Sequence, residues 1–384
     1  MRTADVVIIG AGIMGVSAAY HLARRRAGRI VVLERGAVCS GSTALASGGI
    51  RHQYVSRVGI ELTRQSIVTF ENFEREFGVD PQFRQHGYLI LVTTEAERDQ
   101  AERSVALQRS LGVDVRLLAS DEVGRQFPYL RADDLRGATY SPRDGYADPY
   151  LACTAMAARA RELGVTIETD REVLAIERGA DGVHAVTTAA GSVSSRAVVI
   201  AAGAWSGLVG RLAGVDIPVS PHRRSKFITA PFPEDRIPAA TPFVIDPHQG
   251  ISLRREGPGI LLGGGRRHEP SAFGTEPDPA LAEHVVARAV HRAPALGDAR
   301  LVRSWVGLYE MTPDQSGIVS AVAGVEGLYV LAGFSGHGFM HGPIAGQLMA
   351  ELITERRTTT VDIAPLSLER FRSGRTTPEP LTFV

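Results

Sequence analysis

The chain is almost without lysine: of 42 basic residues, all but Lys226 are arginines. A coding bias toward G and C explains that without any functional demand. Net charge is missing too. Basic and acidic residues number 42 each, so no overall field draws the protein to nucleic acid or to an anionic membrane. Cysteine is scarce, with only Cys39 and Cys153, far apart and without metal-type spacing. They make no disulfide framework, which suits a reducing cytoplasm, and each reads as a small buried hydrophobe. No cluster of metal-ligand residues stands out. Long apolar runs are absent with one exception, residues 6–23 (VVIIGAGIMGVSAAYHLA). Three glycines, His21 and the basic run Arg24, Arg25 and Arg26 behind it argue against a signal or a membrane segment. No membrane span is expected anywhere.

What is present suffices for two lobes: 384 residues, 44% hydrophobic and 22% charged. Residues 5–9 form a β-branched run of the kind that fills the centre of a parallel sheet. A glycine turn follows, then a helix to about residue 26 and a second strand over 29–33 that ends at Glu34. Gly10, Gly12 and Gly15 form G-x-G-x-x-G between strand and helix. The first glycine allows the turn, the second lets backbone approach a pyrophosphate, and the third lets the helix pack on the strand. The helix N-terminus offers N–H groups and a positive dipole end to phosphates, and Glu34 is placed to bind a ribose. Gly10, Gly12, Ile13, Met14, Gly15, Glu34 and Arg35 are therefore expected to bind a dinucleotide.

Two later segments favour FAD over NAD. VVIAAGAW is a buried strand ending in a small-residue turn at Ala202, Gly203 and Trp205. LYVLAGFSGHGFMHGP is a strand over 328–332, a glycine turn over 333–342 and a helix over 343–354. A helix N-terminus aimed at the flavin N1/C2=O edge would stabilise the charge of the reduced ring by about 1 kcal/mol. Elsewhere, residues 58–77 read as one helix, 88–92 as a strand and 152–163 as a helix. Strands over 165–169, 183–188 and 193–199 follow. Residues 217–312 differ in character, with short strands at 227–229, 243–245, 251–254 and 260–263 and a helix over 280–293. The tail after about Arg372 looks loose. The expected fold is α/β: an FAD-binding, Rossmann-type, glutathione-reductase-like lobe (1–80, 145–216 and 313–384) with an inserted antiparallel-sheet substrate lobe (81–144 and 217–312).

In order along the chain, VVIIGAGIMGVSAAYHLA, GSTALASGGIRHQY, DGYADPYL, VVIAAGAW, VGLYEMTPDQSGIV and LAGFSGHGFMHGPIAGQLMAELI resemble the D-amino acid oxidase superfamily, in particular its sarcosine oxidase and glycine oxidase branch. The resemblance implies that the loop bearing Gly41, Ser42, Thr43, Ser47, Gly48 and Gly49 wraps the pyrophosphate and the near edge of the flavin. It adds Val173, Gly333, Gly336, His337, Gly338, Phe339 and Met340 to the cofactor-binding set. It makes Arg51 the holder of the substrate carboxylate, in keeping with the two parallel N–H bonds a guanidinium offers. Tyr309 then lines the substrate pocket and His337 stands at its wall. The ordinary alternatives are a solvated arginine, a core aromatic and a structural histidine.

Three departures from the family pattern modify this picture. Gly307 stands where monomeric sarcosine oxidases carry a flavin-linked cysteine, so FAD is expected to be non-covalent. Met340 stands where they carry a carboxylate-binding lysine, so the pocket is expected to be less cationic and to lean on Arg51. Residues 258–265 lack the oxygen-activating lysine, and Lys226, in a different strand, is not expected to replace it; this favours a dehydrogenase over an oxidase. The expected reaction is oxidation of the CH–NH bond of an amino acid or N-alkyl amino acid by hydride transfer from Cα to flavin N5. The alternatives are an FAD-dependent 2-hydroxy-acid dehydrogenase, for which His52, His337 or His341 would be the base, and a non-catalytic FAD-binding assembly protein. The expected partner is a small carboxylate-bearing substrate. A partner subunit or separate electron acceptor stays open.

Overall fold

The computed structural model describes residues 2–179, 182–266 and 270–379. Its first sheet runs, in spatial order, Ile318–Ala321, Leu328–Ala332, Gly191–Ile200, Arg2–Ile9, Ile30–Leu33 and Thr166–Glu168, with the hairpin of Val173–Gly179 and Gly182–Thr188 attached to Gly191–Ile200. The five strands from Leu328–Ala332 to Thr166–Glu168 pair in parallel. Buried on both faces, such strands carry apolar runs instead of alternation; all four residues of Ile30–Leu33 are buried.

One face of this sheet is covered by three helices, Ile13–Arg24, Pro149–Glu162 and Gly338–Glu355. The first and last cross at very short range. A Cβ on Gly346 would lie 2.5 Å from the Ala18 backbone nitrogen, and one on Gly342 would lie 2.5 Å from Ile13 Cγ1. The last helix therefore starts five residues before the expected 343. Its early glycines, which read as a turn, serve close packing, and Pro343 sits inside the helix.

The second sheet runs Leu301–Met311, Ser220–Thr229, Gly259–Gly264, Ile251–Glu256, Phe243–Asp246, Tyr88–Val92, Gly137–Ser141 and Arg116–Leu118. All its pairs are antiparallel except Phe243–Asp246 with Tyr88–Val92. Period-two alternation sorts its residues. Phe227, Leu253, Leu262, Val244 and Leu89 pack toward Leu281 and Val285 of the helix Pro279–Arg292. Residues of opposite phase, including Arg224, Lys226, Ser252 and Gly263, face the other way.

Several local expectations change. Residues 58–77 form two helices, Arg57–Glu71 and Phe73–Phe77, split at Asn72, whose side-chain amide donates to Val68 O at 2.8 Å and so competes with the helix. Cys39 and Cys153 are bonded to each other, their Cα atoms 6.3 Å apart across 114 residues of sequence. The cytoplasmic expectation loses that support. The tail is docked: Glu379 accepts from Val55 N and Ser56 N at 2.8 and 3.0 Å, and Ser316 Oγ donates to Thr377 O. Residues 380–384 of that tail lie outside the described residues. Among the described residues no helix is long and apolar enough to cross a membrane, and no group of side chains suits a metal ion.

Candidate active site

Gly10 closes the first strand with φ +107°, and a Cβ there would run into the Ala201 carbonyl. Only glycine allows the chain to turn so tightly beside the strand Gly191–Ile200. Helix Ile13–Arg24 then begins at Gly12 without a side-chain cap on its N-cap residue, while Thr43 Oγ1 takes the Ile13 N–H at 3.1 Å. The remaining first-turn N–H groups form the positive end of the helix. Glu34 braces the turn, accepting from Ala11 N at 2.7 Å through one oxygen and from Gly36 N at 2.8 Å through the other. Each oxygen keeps a lone pair for a hydroxyl.

A cavity of about 680 Å³ opens from this turn, within the range of cofactor sites. Of the residues expected to bind the cofactor, Gly10, Gly12, Ile13, Met14, Glu34, Arg35, Gly41, Ser42 and Thr43 line it, as do Val173, Ala202, Gly203, Trp205, Gly336, Gly338 and Phe339. At its rim the Arg35 guanidinium lies 3.9 Å over the Trp205 ring, which stacks on Phe273. Two buried atoms in its wall, Ser42 Oγ and Glu310 Oε2, have no hydrogen-bond partner. Buried polar groups are rarely left so. Volume, orphaned acceptors and donors, and an uncapped helix end fit an extended dinucleotide.

The second sheet closes the far end. Arg224 and Lys226, two apart on Ser220–Thr229, point the same way and line both this cavity and an adjoining pocket of about 60 Å³. Antiparallel register sets Arg224 opposite Gly307, and Lys226 opposite both Gly263 and Trp305. Gly263 leaves the room that the Lys226 amine enters, and Gly265 lies beside the Arg224 side chain. A Cβ on Gly263 would stand 3.0 Å from Lys226 Nζ. The amine therefore lies beside Gly263, in the segment 258–265 that holds no lysine of its own, and the pocket expected to lean on Arg51 has Arg224 and Lys226 on its wall.

The small pocket is walled further by Ser47, Gly48 and Gly49, by Tyr88 and Tyr309, and by Gly336, His337, Phe339 and Met340. Two anchors pin the glycine loop against the sheet: Arg254 donates to Ser47 O at 2.7 Å and Trp305 Nε1 to Leu45 O at 3.2 Å. The Tyr309 ring packs on Gly336, where a Cβ would be 2.5 Å from it, and lies 5.0 Å from the Arg224 guanidinium. Burial pushes the Tyr309 hydroxyl up, so it stays protonated at neutral pH.

Three expected site residues lie off these walls. Gly15 packs helix against strand, its missing side chain leaving room for Gly10 O. Gly333 sits beneath Thr312, with φ +77°. Arg51 is buried one layer back: it donates to Gln53 O and, at 3.0 Å, to His337 Nε2. Arginine is donor only, so His337 accepts at Nε2 and keeps its proton on Nδ1. Burial first, then the Arg51 and His341 charges, hold His337 well below the usual histidine range. His52 is engaged by Asp144 at 2.5 Å, and His341 by Thr63 at 2.9 Å. Arg255 is spent on the carbonyls of Phe232, Pro258, Pro233 and Ile237.

Sequence reading passed over Arg224 and Glu310. The signal for the first was available as a period-two pair, Arg224 and Lys226, immediately before an evident strand. Glu310 is fully enclosed; burial raises its pKa to about 7, against the opposing pull of the Gly333 and Phe334 N–H groups.

Comparison with known proteins agrees with this layout. The family described as DAO, FAD dependent oxidoreductase, matches residues 5–352. The chain is 32% identical to FAD-dependent oxidoreductase domain-containing protein 1 of Xenopus laevis, over 96% of this chain and 83% of that protein. It is 30% identical to glycine oxidase of Geobacillus kaustophilus, over 95% and 97% respectively. The crystal structure of L-proline dehydrogenase from P.horikoshii superposes with a TM-score of 0.92 at 30% identity, covering 98% of this chain and 100% of that one. FAD is the cofactor, held non-covalently, and with Gly307 at the pocket wall there is no side chain at that position to bond it. An enzyme with a cofactor cavity running into a cationic pocket is what the fold builds, and the chain belongs to the DAO family of FAD-dependent oxidoreductases.

Proposed function

We propose that this enzyme oxidises the CH–NH bond of a small amino acid or N-alkyl amino acid. The observation that carries the reading is the pair Arg224 and Lys226, set where the cofactor cavity meets the small pocket. The fixed guanidinium of Arg224, in a confined and largely apolar pocket, selects a small anion, and a carboxylate matches its planar geometry. The names of two whole-chain relatives, glycine oxidase and L-proline dehydrogenase, are those of enzymes acting on such molecules.

The residues divide the work by position. The loop of Gly41, Ser42 and Thr43, with Gly12, Met14 and Glu34, holds the dinucleotide. Gly203, Glu310 and the start of helix Gly338–Glu355, which line the cavity, would meet the ring. When bound, FAD supplies the two-electron acceptor for the hydride that leaves Cα. Arg224 and Tyr309 orient the carboxylate so that Cα faces the cavity, and orientation of this kind is a large part of enzymatic rate. Arg51 acts through His337, fixing its tautomer and presenting a neutral imidazole to the pocket. Tyr88, Phe243 and Phe339 exclude water.

Anaerobic addition of glycine, sarcosine and both enantiomers of proline to the purified holoenzyme tests this. Bleaching of the visible flavin band by one or more of them is expected. Bleaching by 2-hydroxy acids alone, or by neither class, would contradict it. Reoxidation in air against reoxidation by a dye then assigns the electron acceptor.

A further inference from the structure

We propose that Lys226 is the base of the reaction: its Nζ takes the proton from the substrate's ammonium group before the Cα–H bond breaks. This rests on the amino-acid reading above. An amino acid reaches the pocket as a zwitterion, and a protonated nitrogen has no lone pair with which to expel a hydride from the neighbouring carbon. A group on the wall that accepts that proton would make the bound substrate competent to lose hydride.

Position selects Lys226. It is 95% enclosed by the protein, at 5% exposure, and lines both the cofactor cavity and the small pocket. Among the described residues its amine makes no hydrogen bond or ion pair, unlike the other buried cations around it. Its neighbours are a poor set of rivals. Arg224 on its own strand and Arg254 on Ile251–Glu256 are permanently protonated and accept nothing. Tyr309 and Tyr88 carry phenols pushed further from ionisation by burial. His337 has its acceptor nitrogen occupied by Arg51. Glu310 lines the large cavity only and accepts from Phe334 N.

Electrostatics supplies the timing. Burial, followed by the charges of Arg224 and Arg254, brings the Lys226 pKa from 10.5 down to about 7, so a neutral amine is populated at physiological pH. Arrival of the substrate carboxylate beside it raises its proton affinity. The same two arginines repel the substrate's ammonium and lower its hold on a proton. One N–H bond of the ammonium breaks as one Nζ–H bond forms. The lone pair left on nitrogen enters the C=N bond while the Cα–H pair departs as hydride, reducing the bound FAD by two electrons. The product is the iminium ion.

Lys226 being the sole lysine, holoenzyme labelled with ¹⁵N-lysine gives one side-chain signal. Its titration midpoint should lie near 7 and move upward when a small, non-oxidisable carboxylate is bound. A midpoint near 10.5 would overturn the proposal, whatever the activity. The rate of anaerobic flavin reduction against pH is the second measurement. Wild type should show a limb near neutrality. In Lys226→Met the limb should move up by two or more pH units, toward the substrate's own amine, with a loss of about 10²-fold or more at pH 7. Lys226→Arg keeps the charge but cannot accept a proton, so it should behave like Lys226→Met; a wild-type profile in Lys226→Arg would reduce the residue to carboxylate binding and sink the base role. Should wild type be bleached while Lys226→Met keeps its profile, the base role fails and the amino-acid reading stands. Should no amino acid bleach wild type, both fail.

Discussion

Arg224, Arg51 and Glu310 carry the residue-scale consequences. Removing a charged partner from a carboxylate costs about 1.5–3 kcal/mol, so Arg224→Met should raise KM by roughly 10- to 150-fold and change kcat far less. Steady-state kinetics with the best substrate reads both. In Arg51→Met the acceptor nitrogen of His337 loses its donor, and the histidine charge loses one of its two repelling neighbours. The pH dependence of reduction should then gain a low-pH limb from His337 that wild type lacks. Glu310 gives a stability test with a definite sign. Its folded pKa, about 7, lies above the ordinary 4.5, so the native state holds the proton more tightly. The resulting stabilisation is complete below pH 4.5 and is lost as pH rises through 7, about 3 kcal/mol in all. Glu310→Gln should flatten that slope in denaturant unfolding of the flavin-free protein between pH 5 and 8. An unchanged slope would place the titration elsewhere.

At the scale of elements, legibility followed the range of the constraint. The turn at Gly10, Gly12 and Gly15 and the brace of Glu34 are local demands of one strand–turn–helix unit, and the spacing alone displays them. The strand Ser220–Thr229 was legible only from Phe227 on. Its first half, SPHRRSK, hides a period-two pattern because the inward phase is polar, facing a cavity instead of a core. The start of helix Gly338–Glu355 was misread for a related reason: Gly338 and Gly342 look like turn residues, while Gly342, like Gly346 further along, is there for close contact with helix Ile13–Arg24. Gly346→Leu should therefore cost well over the ordinary 0.5–1 kcal/mol gain of replacing a helical glycine, lowering Tm and loosening FAD together; Gly→Leu at an open helix site would stabilise. Thermal melts monitored by flavin fluorescence distinguish the two.

For the whole molecule, two features depend on contacts far apart in sequence and were accordingly invisible in it. One is the pairing of Cys39 with Cys153. The first follows the dinucleotide turn, with its N–H on Ala11 O at 3.0 Å, and the second lies in helix Pro149–Glu162. Only the fold brings them together. A bond closing a loop of that length stabilises by about 5 kcal/mol through the entropy it removes from the unfolded chain. The Cys39→Ala, Cys153→Ala double variant should unfold at correspondingly lower denaturant, and reductant should shift wild type but not the variant. The other feature is the meeting of two sheets at one cavity: a parallel sheet ending in a phosphate-type turn, and an antiparallel sheet presenting Arg224, Lys226 and Tyr309.

On the proposed function, that meeting sets the Cα–H of a carboxylate-bearing amine against the bound cofactor. Anaerobic single-turnover bleaching by the best amino acid, compared with the same compound deuterated at Cα, examines it directly. A clear slowing of the fast phase by deuterium is expected, together with saturation at roughly 10- to 150-fold higher substrate concentration in Arg224→Met. Bleaching indifferent to Cα deuterium, or unaltered in Arg224→Met, would contradict it.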